Sequence, residues 1–119
     1  MSYINDIAAQ RELLEKHLVK INGLLSQKLG IKVHLQLEEK KDWCDRTYYK
    51  LHDYTNIREL CGVAKYAFEE ITIGTWGIYW SDDYVTLSFY YFYTHPRGGS
   101  NATELCSVLI ENDEVTIIK

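Results

Sequence analysis

An α+β fold, with a long N-terminal amphipathic helix laid on a curved antiparallel sheet of five to six strands, is what this sequence predicts. Three observations carry the prediction. Apolar residues recur at helical spacing through residues 3–29, alternate at strand spacing directly afterwards, and from Ile71 onward form short apolar runs punctuated by turn residues. The implied order is one helix, two strands, a second short helix and four strands, in a single domain spanning residues 1–119.

The first helix rests on Ile4, Ile7, Leu14, Leu18, Ile21 and Leu25, which fall three or four residues apart, with Arg11 as a polar intruder. Leu13 and Leu24 flank this seam and Val19 lies outside it. Asn5 or Ser2 is the expected N-cap, and Gly30 suits the left-handed position that ends a helix. Gly23 costs up to about 1 kcal/mol against alanine. The seam is too short for a coiled coil, so packing across a sheet face is favoured over pairing with a second copy.

Ile31, Val33, Leu35 and Leu37 alternate with Lys32, His34, Gln36 and Glu38, the pattern of a half-buried strand. Glu38 to Asp42 is predicted to turn, and Arg46 to Leu51 to return with Tyr49 and Leu51 inward and Tyr48 and Lys50 outward. Asn56 and Glu59 have the spacing of a capping box, followed by a stripe of Ile57, Leu60, Cys61, Ala64, Phe68 and Ile71. A helix over 57–69 is therefore expected, weakened by Gly62.

Four strands follow, over 71–80, 84–94, 103–110 and 114–118. Ser81-Asp82-Asp83 and Glu111-Asn112-Asp113-Glu114 are the connecting turns, and His95 to Asn101 forms the remaining loop. Gly74 and Gly77 within a strand imply a bulge or strong curvature. The element order resembles the cystatin-like and cone-shaped α+β folds, which implies a sheet wrapping a helix and enclosing a pocket. No motif accompanies that resemblance, and no family is assigned from it.

The strand Tyr84 to Tyr93 is the most informative segment. Val85, Leu87, Phe89, Tyr91 and Tyr93 make one face, which is a core face. Tyr84, Thr86, Ser88, Tyr90 and Phe92 make the other, with large rings and small polar residues between them. Rings with polar tips suit an interface or a half-covered cavity. Tyrosine is the common aromatic here, with ten residues against three phenylalanines.

Composition narrows the function classes. A net charge of −4 argues against direct binding to nucleic acid, which needs clustered Lys and Arg. No apolar stretch approaches the roughly 18 residues of a membrane span. Without a secretory leader, the Asn101 sequon is read as chance and the chain as cytoplasmic. Cys44, Cys61 and Cys106 show no paired spacing and read as small, reduced, buried or semi-buried hydrophobes. His17, His34, His52 and His95 show no ligand spacing and read as surface or loop residues, so no metal is expected. No cofactor is implied, and no catalytic residue stands out. Arg97 with Gly98 and Gly99 is an anion-contact candidate, although a flexible strand connection is the favoured reading of the loop.

The function expected is that of a non-enzymatic, partner-binding protein, of the kind represented by small inhibitors, immunity proteins and phage-type accessory proteins of mobile elements. Tyr79, Trp80, Tyr84, Tyr90 and Phe92 are the candidate anchors, with Asp82, Asp83 and Arg97 at the rim. If the acidic turns share a face, that face suits a basic or nucleic-acid-handling protein partner. Two alternatives remain open: a small-molecule pocket or small enzyme using Tyr hydroxyls, His52 and His95, and a structural homodimer.

Overall fold

The structure, a computed structural model, describes residues 6–58, 70–94 and 98–118. It is α+β, with helix α1 (Ile7–Leu29) followed by strands β1 (Gln36–Lys41), β2 (Thr47–Asp53), β3 (Glu70–Trp80), β4 (Tyr84–Thr94), β5 (Ser100–Glu111) and β6 (Glu114–Ile117). The strands form one open antiparallel sheet in sequential order. Its short dimension of 19 Å is the depth of one helix layer on one sheet. The second helix expected over 57–69 lies, from Glu59 on, outside the described residues. Asn56 Oδ1 accepts from the Arg58 and Ile71 amides, tying this segment to β3.

Asp6 caps α1 by accepting from the Ala9 amide at 3.1 Å, and Gly30 closes it at φ 70°. The buried stripe runs through Gln10, Leu13, Leu14, His17, Ile21 and Leu25. It is rotated from the expected seam: Arg11 is exposed and paired with Glu15, while Gln10 and His17 are the polar residues that enter the core. Leu14, Ile21 and Leu25 meet Leu51, Ile71, Ile73, Val85, Leu87, Phe89 and Val108 in one cluster, so α1 is a core helix.

The first strand begins five residues later than expected, at Gln36. Residues 31–35 alternate correctly but bond elsewhere. The Val33 amide donates to Ser26 Oγ, the His34 amide to Asp53 Oδ2 and the Leu35 amide to Asn22 Oδ1. With these donors satisfied by side chains, no ladder is needed there. Glu38 to Lys41, expected to turn, continue β1, and the turn falls at Asp42 to Arg46. There Asp42 Oδ1 accepts from the Cys44 and Arg46 amides, and Asp45 takes φ 62°. This leaves Trp43 92% exposed and Cys44 exposed, which corrects the reading of Cys44 as a buried hydrophobe. Cys106 is buried, as expected, and burial raises its thiol pKa.

The last four strands match closely. β5 starts at Ser100, three residues before the expected position, directly after Gly98 and Gly99 at φ 88° and 84°. Asn112 and Asp113 both have positive φ between the paired Glu111 and Glu114, the conformation a two-residue primed turn demands.

Candidate functional site

Two bulges set the faces of the sheet. In β3 the register shifts between Thr75 and Gly77, leaving Trp76 as the extra residue. In β5 it shifts opposite Phe89 and Tyr90, leaving Leu105 as the extra one. Each bulge reverses the parity of its strand. Ile71, Ile73 and Thr75 therefore share the helix side with Ile78 and Trp80, which pair with the fully buried Leu87 and Val85. Gly77 and Tyr79 go to the outer side, opposite Ser88 and Thr86.

β4 alternates as the sequence reading expected. Val85, Leu87 and Phe89 are fully buried, Tyr93 is buried, and Tyr84, Thr86, Ser88, Tyr90 and Phe92 are half-buried on the other face. Trp76 lies parallel to Phe92, with centroids 6.0 Å apart and planes within 5°, and 5.8 Å from Tyr90. The strip continues across β2. The His52 ring is 5.3 Å from Phe92 and 4.3 Å from Tyr54. Trp76 remains 69% exposed and Tyr54 54% exposed.

The candidate anchors divide. Tyr90 and Phe92 belong to this strip. Tyr79 and Tyr84 touch each other, at 6.0 Å, toward the opposite end of the hairpin. Thr86, Ser88 and Gly77 make a low saddle between the two groups. Trp80 is not with them, because the bulge at Trp76 moves it to the helix side. Asp82 and Asp83 are exposed in the turn beside Tyr84, and Arg97 lies outside the described residues, as does His95.

In a sequential antiparallel sheet, alternate turns share an end. The β1–β2, β3–β4 and β5–β6 turns accordingly lie together. Asp82, Asp83, Glu111 and Asp113 line one shallow cavity of about 230 Å³ at that end. Lys16 pairs with Asp113 at 2.9 Å, and Arg46 with Asp42 at 3.0 Å.

His17 and His52 are buried, which corrects their assignment to surface or loop positions. The His52 imidazole lies directly over Gly74, in the space that a Cβ would fill, and its Nε2 is 2.8 Å from Thr72 Oγ1. Burial, then the nearby Lys50 charge, lowers its pKa, with Glu38 and Asp53 opposing. Tyr54 and Phe92 flank the ring, so it serves as a packed element of the strip. Tyr54 donates to Glu38 Oε2 at 2.8 Å; burial and that carboxylate push the phenol up to about 12. Lys50, 3.5 Å from the same carboxylate, stands 5.9 Å from the Tyr54 ring centroid.

Sequence reasoning did not place Trp76 among the anchors, and it missed Tyr54 and Lys50. The signal for Trp76 was its position between Gly74 and Gly77. Among the described residues no group of three His, Cys, Asp or Glu side chains is placed to hold a metal. No described helix is long and apolar enough to cross a membrane.

A cavity of about 870 Å³ opens between β2 and β3. It is lined from Arg46 to Lys50 on one side and from Thr75 to Ile78 on the other, with Ile7 and Gln10 of α1 beneath. The buried residues between helix and sheet form one cluster.

No protein-family model, curated protein or solved structure matches the chain.

Proposed function

We propose that this chain is a binding protein that captures a partner protein on the outer face of its sheet. The observation that carries this reading is the Trp76–Phe92 stack: a bulge holds a tryptophan flat against its neighbour while leaving it 69% exposed. Ordered, exposed rings give contact area at little further entropic cost, and residues of this kind dominate interface energetics. Tyr90, His52 and Tyr54 extend the anchor across three strands. Tyr79, Tyr84, Asp82 and Asp83 supply a second contact at the acidic end, which favours a partner with a basic rim around an apolar centre. An inhibitor, immunity or accessory role fits such a surface.

The test is affinity capture from the native host with wild-type chain, Trp76→Ala and Val19→Ala in parallel. Val19 is exposed on α1, away from the sheet. A partner retained by wild type and Val19→Ala but lost by Trp76→Ala supports the reading. Identical captures by all three overturn it.

A further inference from the structure

We propose that the aromatic face carries a saccharide site, in which a cavity beside Trp76 takes a sugar ring of a neutral oligosaccharide. This goes beyond the capture of a partner protein, although Trp76 serves both.

The cavity, of about 390 Å³, is lined by Trp76, Tyr90, Phe92, Ser100, Asn101 and Ala102. Its origin lies in the register of the sheet. Phe92 pairs directly with Ala102 across β4 and β5, and directly opposed residues send their side chains to one face. A methyl group beside a phenyl ring leaves the space over β5 open. Trp76, in the β3 bulge, lies parallel to Phe92, and Tyr90 stands 5.8 Å from Trp76 at a tilt of 55°. These rings wall the space from two sides. Its volume falls within the roughly 300–1,000 Å³ of small-ligand sites.

The chemistry of the lining selects the ligand. No described lining residue is charged, so a charged ligand would give up hydration without meeting a counter-charge. The rings supply surface that favours an apolar ligand face. Among the described residues, the Trp76 indole N–H and the Tyr90 and Ser100 hydroxyls have no hydrogen-bond partner. A wholly apolar ligand would cover these groups and leave them unpaired. A pyranose ring meets all three demands. It is neutral, it has a flat face of C–H groups to lay on an aromatic ring, and its rim of hydroxyls both donates and accepts. The Tyr90 and Ser100 hydroxyls also do either, and the indole N–H donates.

The experiment titrates cellotetraose, maltotetraose, mannotetraose and the fully acetylated chitotetraose into the intact chain. Tetragalacturonate, deacetylated chitotetraose and an uncharged tetrapeptide of Thr and Val are the comparison ligands. Binding is read by NMR at the Trp76 indole N–H and the Ser100 and Ala102 amides. At least one neutral saccharide is expected to shift these signals saturably at concentrations up to about 10 mM. Trp76→Ala and Ala102→Leu are each expected to weaken that saccharide about tenfold or more at an unchanged thermal midpoint, the second by filling the cavity. No saturable shift from any neutral saccharide overturns the site. So do shifts confined to other residues, equal binding of the charged saccharides or the peptide, or unchanged binding by Ala102→Leu. The two proposals fail separately: a saccharide bound by a chain that captures no partner upholds this site alone, and a partner captured by a chain that binds no saccharide upholds only the partner reading.

Discussion

The imidazole of His52 occupies the position that a side chain on Gly74 would take. The two are direct partners across β2 and β3, so the glycine makes room for the ring at the last paired rung before the strands separate. On the same face, the ring bridges Tyr54 and Phe92 and connects the aromatic strip to β2.

Gly74→Ala should therefore cost about 1–3 kcal/mol, the usual penalty for overpacking. In a His52→Ala background the same change should cost little. Urea unfolding of the two single variants and the double variant measures the coupling. Equal costs of Gly74→Ala in both backgrounds would show that the ring is not what the glycine accommodates.

His52 also predicts a pH dependence. Its folded pKa is lowered from 6.5, first by burial and then by Lys50. The unfolded chain therefore takes up this proton at higher pH than the folded one. The contribution to stability is complete above about 6.5 and declines as pH falls through the folded value. His52→Gln should flatten the slope of unfolding free energy between pH 7.5 and 5.5, and an unchanged slope would contradict the neutral, packed imidazole.

Asp53 holds the segment before β1. Burial opposes its charge, but the His34 and Thr55 amides, each at 2.9 Å, outweigh that and lower its pKa. The stabilisation is present above the unfolded value and is lost as pH falls through the folded one. Asp53→Ala should cost about 3 kcal/mol by leaving two donors without their charged acceptor. Faster amide exchange at His34 would accompany it; unchanged exchange would place the anchor elsewhere.

The Trp76 bulge separates side chain from backbone. Trp76→Ala should change stability by no more than about 0.5 kcal/mol, since the ring is largely exposed. Deleting residue 76 should instead reverse the parity of Gly77 to Trp80, turn Ile78 and Trp80 away from the core and unfold the sheet. Thermal denaturation of both variants distinguishes these outcomes.

Much of this architecture was legible from local pattern. The α1 helix itself, though not the exact face it buries, the β4 alternation and the Asn112-Asp113 turn follow from period and turn chemistry that neighbouring residues decide. What escaped depended on distant partners. Residues 31–35 alternate like a strand, but Ser26, Asn22 and Asp53 take their amides. Trp80 was grouped with Tyr79, but adjacent strand residues face opposite sides, and the extra residue at 76 is what puts Trp80 on the helix side. His52 looked like a loop histidine because its reason for burial, Gly74, is 22 positions away in the chain. The aromatic strip was half visible: Tyr90 and Phe92 share a strand, whereas Trp76, His52 and Tyr54 join them only through the sheet.

The central claim is that the exposed face around Trp76 is the contact surface for a partner. Its most direct test is the Kd of the captured partner for wild type and Trp76→Ala, measured by calorimetry beside the thermal midpoint of each protein. A hot-spot anchor predicts a loss of about 30-fold or more, equivalent to about 2 kcal/mol, at an unchanged midpoint. An unchanged Kd would contradict the account.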